Sequence, residues 1–299
     1  MEAHPFRFGV VAAQARMGDE WATKARRVES LGYATLVVPD TLRHTLAPVP
    51  ALAAAAAATR SLRIGTYVLA NDYRHPVLLA KDLATLDLLS DGRLEIGLGA
   101  GRPAAAEDNR MLGLPFDPGH VRIARLAESI ALLKTLLAGR PAEVTGRYYP
   151  VAGAEVSPRP VQQPHPPILI AGSGKRLLTL AAREADIVAL GVEPDAPEAA
   201  LAEKIAWLRE AAGERFPRLE LNVDLMAVGE QVPHYVSAQL GQTADQLARL
   251  GAACALTGTV DEMCATLLRR REALGISYIL VADELMEALA PVVERLAGR

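Results

Sequence analysis

Six side chains in this chain have the chemistry of a general acid or base and sit beside loops: Asp40, His44, His75, Glu107, Asp108 and His120. Asp40 follows the apolar run ATLVVP, at the end of a predicted strand, where a carboxylate either exchanges protons with a ligand or caps a turn. His75 precedes Pro76 at a helix start and reads as structural. His120 and Arg122 open a long predicted helix, from which the arginine has the reach for an anionic cofactor tail. A different chemistry belongs to PILIAGSGK, in which an apolar strand passes through Ala171, Gly172, Ser173 and Gly174 into a helix at Lys175. Such a turn offers unpaired N–H groups to an anion such as a phosphate, with a hydroxyl from Ser173 and a charge from Lys175. It is equally a tight connection in which glycine permits the backbone angles. The spacing is not that of a P-loop.

Gly97-Leu98-Gly99-Ala100-Gly101 lacks the third glycine of a dinucleotide fingerprint, because position 102 is arginine, and no long helix is predicted there. Its glycines either leave room for something flat or let strands pack closely. No Gly-x-Ser-x-Gly elbow and no HExxH occurs, and Cys254 and Cys264 lie ten apart without a histidine at metal spacing. Hydrolase chemistry and a metal centre are therefore disfavoured, and both thiols read as structural.

The elements that must position these groups alternate from end to end. Leu62 to Arg102 reads as strand (LRIGTYVL), polar loop, helix (Pro76 to Ser90), turn and strand (LEIGLG), a βαβ unit whose non-alternating apolar runs are parallel strands buried on both faces. FRFGVVA and ATLVVP precede it, separated by a helix with Trp21, Ala25, Val28 and Leu31 on one face, and an alanine-rich helix opens at Pro48 and Pro50. Asp117 to Ala138 is a long helix with Ile123, Leu126, Ala127, Ile130, Leu133 and Leu137 as its buried stripe. The Pro- and Gly-rich stretch after it reads as a surface excursion. PILIA, DIVALG, LELNVDLMAV and SYILV supply four more strands, with helices over Lys175 to Glu184, Glu198 to Ala212, Val260 to Leu274 and Leu285 to Leu296. Glu230 to Thr257 reads as an irregular insert with one helix near Ala244 to Leu250. Eight strands with intervening helices predict a (β/α)8 TIM barrel, one domain over residues 1–299 with insertions after strands 4 and 7; a doubly wound sheet is the alternative.

Composition narrows the partners. Hydrophobic residues make up 51% of the 299 and aromatics 4%, and the net charge of −3 gives no basic footprint for nucleic acid. The longest apolar run, around Ala51 to Ala58, is too short to span a bilayer, and the N-terminus lacks the pattern of a secretion signal, so the expected location is cytoplasmic.

Asp40, RHPVLLAKDLATLDLLSDGRLEIGLGAGR from Arg74 to Arg102, GRYYP with PRPVQQPHPPILIAGSG from Gly146 to Gly174, LAAREAD before the sixth strand, and TGTVDEMCATLLRRREALGISYILV carry a resemblance covering nearly the whole chain. The chain resembles the bacterial luciferase-like monooxygenase superfamily, in its branch of oxidoreductases dependent on the deazaflavin coenzyme F420. The resemblance implies a barrel with a flavin or deazaflavin ring at its C-terminal end, backed by a non-prolyl cis peptide that maps to Tyr67-Val68. It implies a phosphate grip at Ala171 through Gly174, backbone positions beside the ring at Ala100 and Gly101, and Asp40 near the ring's reactive edge. Thr41 stands where many relatives have histidine, and Arg102 where the family's sugar-phosphate dehydrogenases place a glutamate acid. Both departures argue against sugar-phosphate oxidation.

The expected activity is hydride transfer from reduced F420 to a small organic acceptor with an activated C=C or C=N bond. Asp40, Thr41, His44 and Arg102 are the candidates to protonate or orient it. An FMN-dependent monooxygenase is the alternative within the family, and a non-catalytic cofactor-binding barrel the alternative outside enzymology. A homodimer is expected from the resemblance.

Overall fold

The computed structural model describes residues 4–299. In chain order its elements are β1 (Arg7–Val11), α1 (Gly18–Ser30), β2 (Thr35–Val38), α2 (Pro48–Ala58), β3 (Arg63–Thr66), β4 (Leu69–Ala70), α3 (Pro76–Leu89), β5 (Leu94–Gly99), α4 (Ala106–Met111) and α5 (Gly119–Leu137). There follow β6 (Ala142–Val144), β7 (Val151–Ala154), β8 (Ile168–Gly172), α6 (Lys175–Glu184), β9 (Ile187–Leu190), α7 (Glu198–Ala212) and β10 (Glu220–Leu225). The chain ends through β11 (Ala227–Val228), α8 (His234–Leu240), α9 (Ala244–Arg249), β12 (Ala255–Leu256), α10 (Val260–Leu274), β13 (Ile276–Ala282) and α11 (Met286–Leu296).

The main sheet has hydrogen-bonded order β3-β2-β1-β13-β10-β9-β8-β5-β4, and β3 also pairs with β5, so the circuit returns on itself. With β3 and β4 as two pieces of one strand, this is the eight-stranded parallel barrel that the alternation predicts. The doubly wound alternative is excluded, because an open sheet keeps two unpaired edges.

Two compact units divide the chain. One comprises Ala13–Thr23 and Val38–Ile170. In it β5 pairs in parallel with β3 (Ile64 to Leu94), β4 (Leu69 to Leu98) and β8 (Ile96 to Ile168), and all six of its residues are buried. Helix α3 starts where Pro76, which has no N–H to lose, occupies the first turn, and the His75 ring accepts from Val77 N at 3.3 Å. It stops at Ser90, followed by Asp91 and Gly92 with φ of 54° and 76°. Helix α5 lies where predicted, but its buried face is turned: Ile123 and Ala127 are half-exposed, while Arg122, Ser129, Leu132 and Leu136 join Leu126, Ile130, Leu133 and Leu137. Arg122 causes the difference at the first turn, because its guanidinium stacks 3.9 Å from the Phe116 ring centroid and is drawn inward. The excursion after α5 contains an antiparallel pair, β6 with β7, that its glycines and prolines hide from pattern reading.

The other unit comprises Lys24–Val37, Ala171–Arg299 and the described part of Met1–Ala12. Here β1 lies between β2 and β13, and β10 between β9 and β13, all parallel. The insert after β10 is more regular than the sequence suggests. Besides α9 it holds α8 and the parallel pair β11–β12, which close over a cluster of Ala227, Val236, Leu247 and Cys254. Both cysteines are free and buried.

Candidate functional site

Strand three is broken where the chemistry is expected. After Thr66 the Tyr67-Val68 peptide is cis, at the bond to which the resemblance points, and β4 resumes at Leu69. Across the break, the Thr66 hydroxyl replaces the ladder: it donates to Gly97 O at 2.9 Å and accepts from Gly97 N at 2.8 Å. Tyr67 N donates to Val38 O at 2.9 Å. A Cβ on Gly97 would lie 1.9 Å from Thr66 O, and one on Gly99 2.7 Å from Val68 Cγ2. Of the two uses for these glycines, close strand packing is therefore the one realised. Room for something flat is not what Gly97 and Gly99 provide, because the broken strand fills it. Ala100 is buried, and Gly101 is exposed with φ 79°.

Beside the break, the Asp40 carboxylate is 5% exposed and takes a forked ion pair from Arg74, Nη1 to Oδ2 at 2.6 Å and Nη2 to Oδ1 at 3.1 Å. Ala70 N adds a third donor at 3.0 Å. Both oxygens are engaged, and the effect is to fix the chain immediately after the cis bond. Arg74 is the residue that sequence reasoning missed; its position in the loop before Pro76 was the available signal.

The other predicted groups disperse. The Thr41 hydroxyl is turned into its own loop, where it donates to Arg43 O, and Thr41 N donates to Thr45 Oγ1 at 3.3 Å. His44 is exposed with φ 70°, its carbonyl accepting from Gln14 Nε2 at 2.9 Å. Glu107 pairs with Arg43 at 2.6 Å on the surface, and His120 is exposed. Asp108 is buried and accepts from Leu42 N at 3.2 Å and the Tyr73 hydroxyl at 3.3 Å. Burial, then the nearby Asp108 charge, pushes the Tyr73 phenol up to about 12.

Arg102 is exposed beside Gly101. Arg122 Nη1 stands 3.6 Å from where a Gly101 Cβ would be, and Nε and Nη1 of Arg122 are enclosed without a hydrogen-bond partner. Burial lowers the pKa of this guanidinium, while Asp72 and Asp117 oppose the shift. A cavity of about 300 Å³ opens nearby in the same unit, lined by Tyr73, Arg74, His75, Arg125, Tyr148 and Tyr149 among others.

In the other unit, the Gly172–Gly174 turn leads into α6 with Gly174 at the N-cap and no side-chain cap, which leaves the first N–H groups of the helix unpaired. Gly174 has open space on its side-chain face, and Ser173 and Lys175 are exposed. Gly172 is needed for another reason: a Cβ there would lie 2.2 Å from Leu177 Cδ2. Lys175 stands 3.7 Å from Glu210, whereas Lys204, which the sequence did not single out, donates to Ser173 O at 2.9 Å. Among the described residues there is no cluster of His, Cys, Asp and Glu fit to hold a metal ion, and no helix is long and apolar enough to cross a membrane.

An F420-dependent glucose-6-phosphate dehydrogenase of Beutenbergia cavernae is 36% identical over 166 residues, 53% of this chain and 48% of that protein. One of Nakamurella multipartita is 31% identical over 236 residues, 75% of this chain and 68% of that protein. The chain thus spans about half to two thirds of the length of these curated relatives. The solved structure of the coenzyme F420-dependent tetrahydromethanopterin reductase of Methanopyrus kandleri superposes with a TM-score of 0.80, covering 98% of this chain and all of that one at 18% identity, a likeness of fold. The family model described as luciferase-like monooxygenase matches residues 9–230. This chain belongs to the luciferase-like monooxygenase family.

Proposed function

We propose that this protein is a two-electron oxidoreductase that uses coenzyme F420 and works as a reductase of a small organic acceptor. The observation that carries this reading is identity of 31–36% to F420-dependent relatives. A phosphorylated, anionic redox group also finds matching donors in each unit taken alone. These are the uncapped N–H groups behind Gly174, and the positive charge of the Arg122 guanidinium beside Gly101. When bound, the deazaflavin supplies hydride chemistry, since it has carbon where a flavin has its reactive nitrogen.

The chain's own residues do the rest. Tyr67, Val68, Ala100 and Gly101 give the ring a backbone platform; Asp40 and Arg74 hold that platform in place; Ala171 to Lys175 receive the phosphate. Asp40 acts here as a positioning residue, because its oxygens are already engaged by Arg74 and Ala70 N. His44 and Arg102, exposed on loops, orient the acceptor. The substrate differs from the sugar phosphates named for the relatives. Thr41 and Arg102 are not bases, and the Thr41 hydroxyl is committed to Arg43 O. The same reading takes residues 1–299 as one domain acting as a cytoplasmic homodimer; sedimentation of the purified protein tests the dimer.

The deciding experiment is a titration of the purified protein with F420 and with FMN, followed by tryptophan quenching, then a screen of C=C and C=N acceptors against reduced F420 by its absorbance. Tight binding of FMN with none of F420 would overturn the reading in favour of a flavin monooxygenase. Tight F420 binding with no acceptor reduced would favour a non-catalytic barrel.

A further inference from the structure

The segment that follows β5 has almost nothing apolar to hold it down. Of residues 101–118 only Asp108 and Asn109 are buried, and both are polar, while Met111 and Leu112 are 42% and 41% exposed. Helix α4 within it is six residues long, too short to be stable without packing. Gly101 and Gly113, with φ of 79° and 68°, set off its two ends. What fastens the segment is a small set of polar contacts to other loops of the same unit. Asp108 accepts from Leu42 N at 3.2 Å and from the Tyr73 hydroxyl at 3.3 Å, and Asn109 Nδ2 donates to Asp72 at 3.4 Å. Asp117 pairs with Arg125. The pair of Glu107 with Arg43 has both side chains about half exposed and contributes little. A segment held this way opens locally far more easily than α5, which buries Leu126, Ile130, Leu133 and Leu137.

What the segment covers is Arg122. That residue is 9% exposed, the Phe116 ring of the segment lies on its guanidinium, and its Nε and Nη1 are sealed in without a hydrogen-bond partner. Enclosing guanidinium N–H groups with no acceptor is unfavourable, and stacking on one aromatic ring offsets only part of the cost. For packing alone, an apolar side chain at this position would serve better. An anion would satisfy those N–H groups, yet none can reach them while Phe116 stays in place.

We infer that residues 102–117 form a lid, fastened by Asp108, which lifts to let an oxyanion reach the Arg122 guanidinium and then recloses over it. The planar fork of an arginine suits a phosphate or a carboxylate. The oxyanion is an anionic part of the phosphorylated redox cofactor, so the inference rests on the reading of the chain as an F420-linked enzyme. Reclosing also shields the end of β5 from water. Every residue of the device, from Leu42 to Arg125, belongs to one compact unit.

The test begins without cofactor. In hydrogen exchange, the amides of Leu112, Gly113 and Leu114, which are bonded within the segment, should exchange about 100-fold or more faster than those of Ile130 to Leu133 in α5. Asp108→Ala should speed them about tenfold further and leave α5 unchanged, and the milder Tyr73→Phe should speed them about threefold. Equal protection of segment and helix, or no response to either variant, would overturn the lid whatever the protein binds. Stopped-flow mixing with F420 then reads the gate. Asp108→Ala should raise the association and dissociation rate constants about tenfold each and leave Kd within about threefold, because the lid is loosened equally before and after binding. An association rate unchanged in Asp108→Ala would overturn the inference while leaving the cofactor reading intact. Binding of neither F420 nor FMN by the wild type would overturn the cofactor reading, and with it the role given to the lid, even if the exchange result is as expected.

Discussion

Replacing Arg74 by methionine removes both prongs of the fork on Asp40 while keeping much of the side chain's bulk, and leaves a carboxylate that is 5% exposed with one remaining donor, Ala70 N. Breaking a fully buried ion pair from one side costs about 3–5 kcal/mol, because the orphaned charge cannot be rehydrated. Arg74 is 29% exposed, so water reaches the fork's outer side and the expected cost falls to about 2–3 kcal/mol. For a chain of this size that corresponds to a Tm lower by roughly 3–5 °C. In an Asp40→Asn background no charge is left to strand, and the same replacement should cost less than about 1 kcal/mol. Urea denaturation of the four proteins of the cycle measures the coupling, expected at about 1.5–2 kcal/mol. Effects that add to within about 0.5 kcal/mol would refute the clamp. F420 affinity should fall in Arg74→Met and in Asp40→Ala, since each frees the chain after Val68.

Gly97→Ala should be among the most damaging single changes, costing about 4 kcal/mol or more, because its methyl group would meet the backbone oxygen of Thr66 at 1.9 Å and neither strand can yield. Gly18→Ala, with nothing within 4 Å, should be neutral or slightly stabilising by the same melting assay. Acid sensitivity should trace in part to Glu198. The hydrogen bond from Arg269, reinforced by Arg270, holds its carboxyl at about 2, below the ordinary 4.5. Its contribution is therefore complete above pH 4.5 and lost as pH falls through about 2. Urea midpoints measured from pH 6 to 2 should fall less steeply in Glu198→Gln than in the wild type.

How much of this was legible beforehand varied with the range of the interaction. Helices α6, α7 and α10 fall on their predicted bounds, because local apolar period and end signals specify them. The hairpin β6–β7 and helix α8 escaped prediction: their segments are at most seven residues long, too short for a period to register. At the first turn of α5 the buried face depended on one arginine finding Phe116. In the site, Asp40 and the run to Arg102 were recognisable from residue type and order, whereas the partners were not. Nothing in LELNVDLMAV marks Asp224 as different from Asn222 two residues earlier, since the difference lies in what each side chain meets.

The sequence by itself determined the alternation of strand and helix, the absence of hydrolase and metal motifs, and the family to which the chain belongs. All of these are written in composition, short-range periodicity and residue order. Only the tertiary structure decided that Gly97 and Gly99 serve the break in strand three, that Asp40 is held by Arg74 across 34 positions, and that one oxygen of Asp224 on β10 is enclosed without a partner. Such outcomes depend on distances between atoms far apart in the chain, and the pattern along the backbone does not encode those distances until the strands have closed.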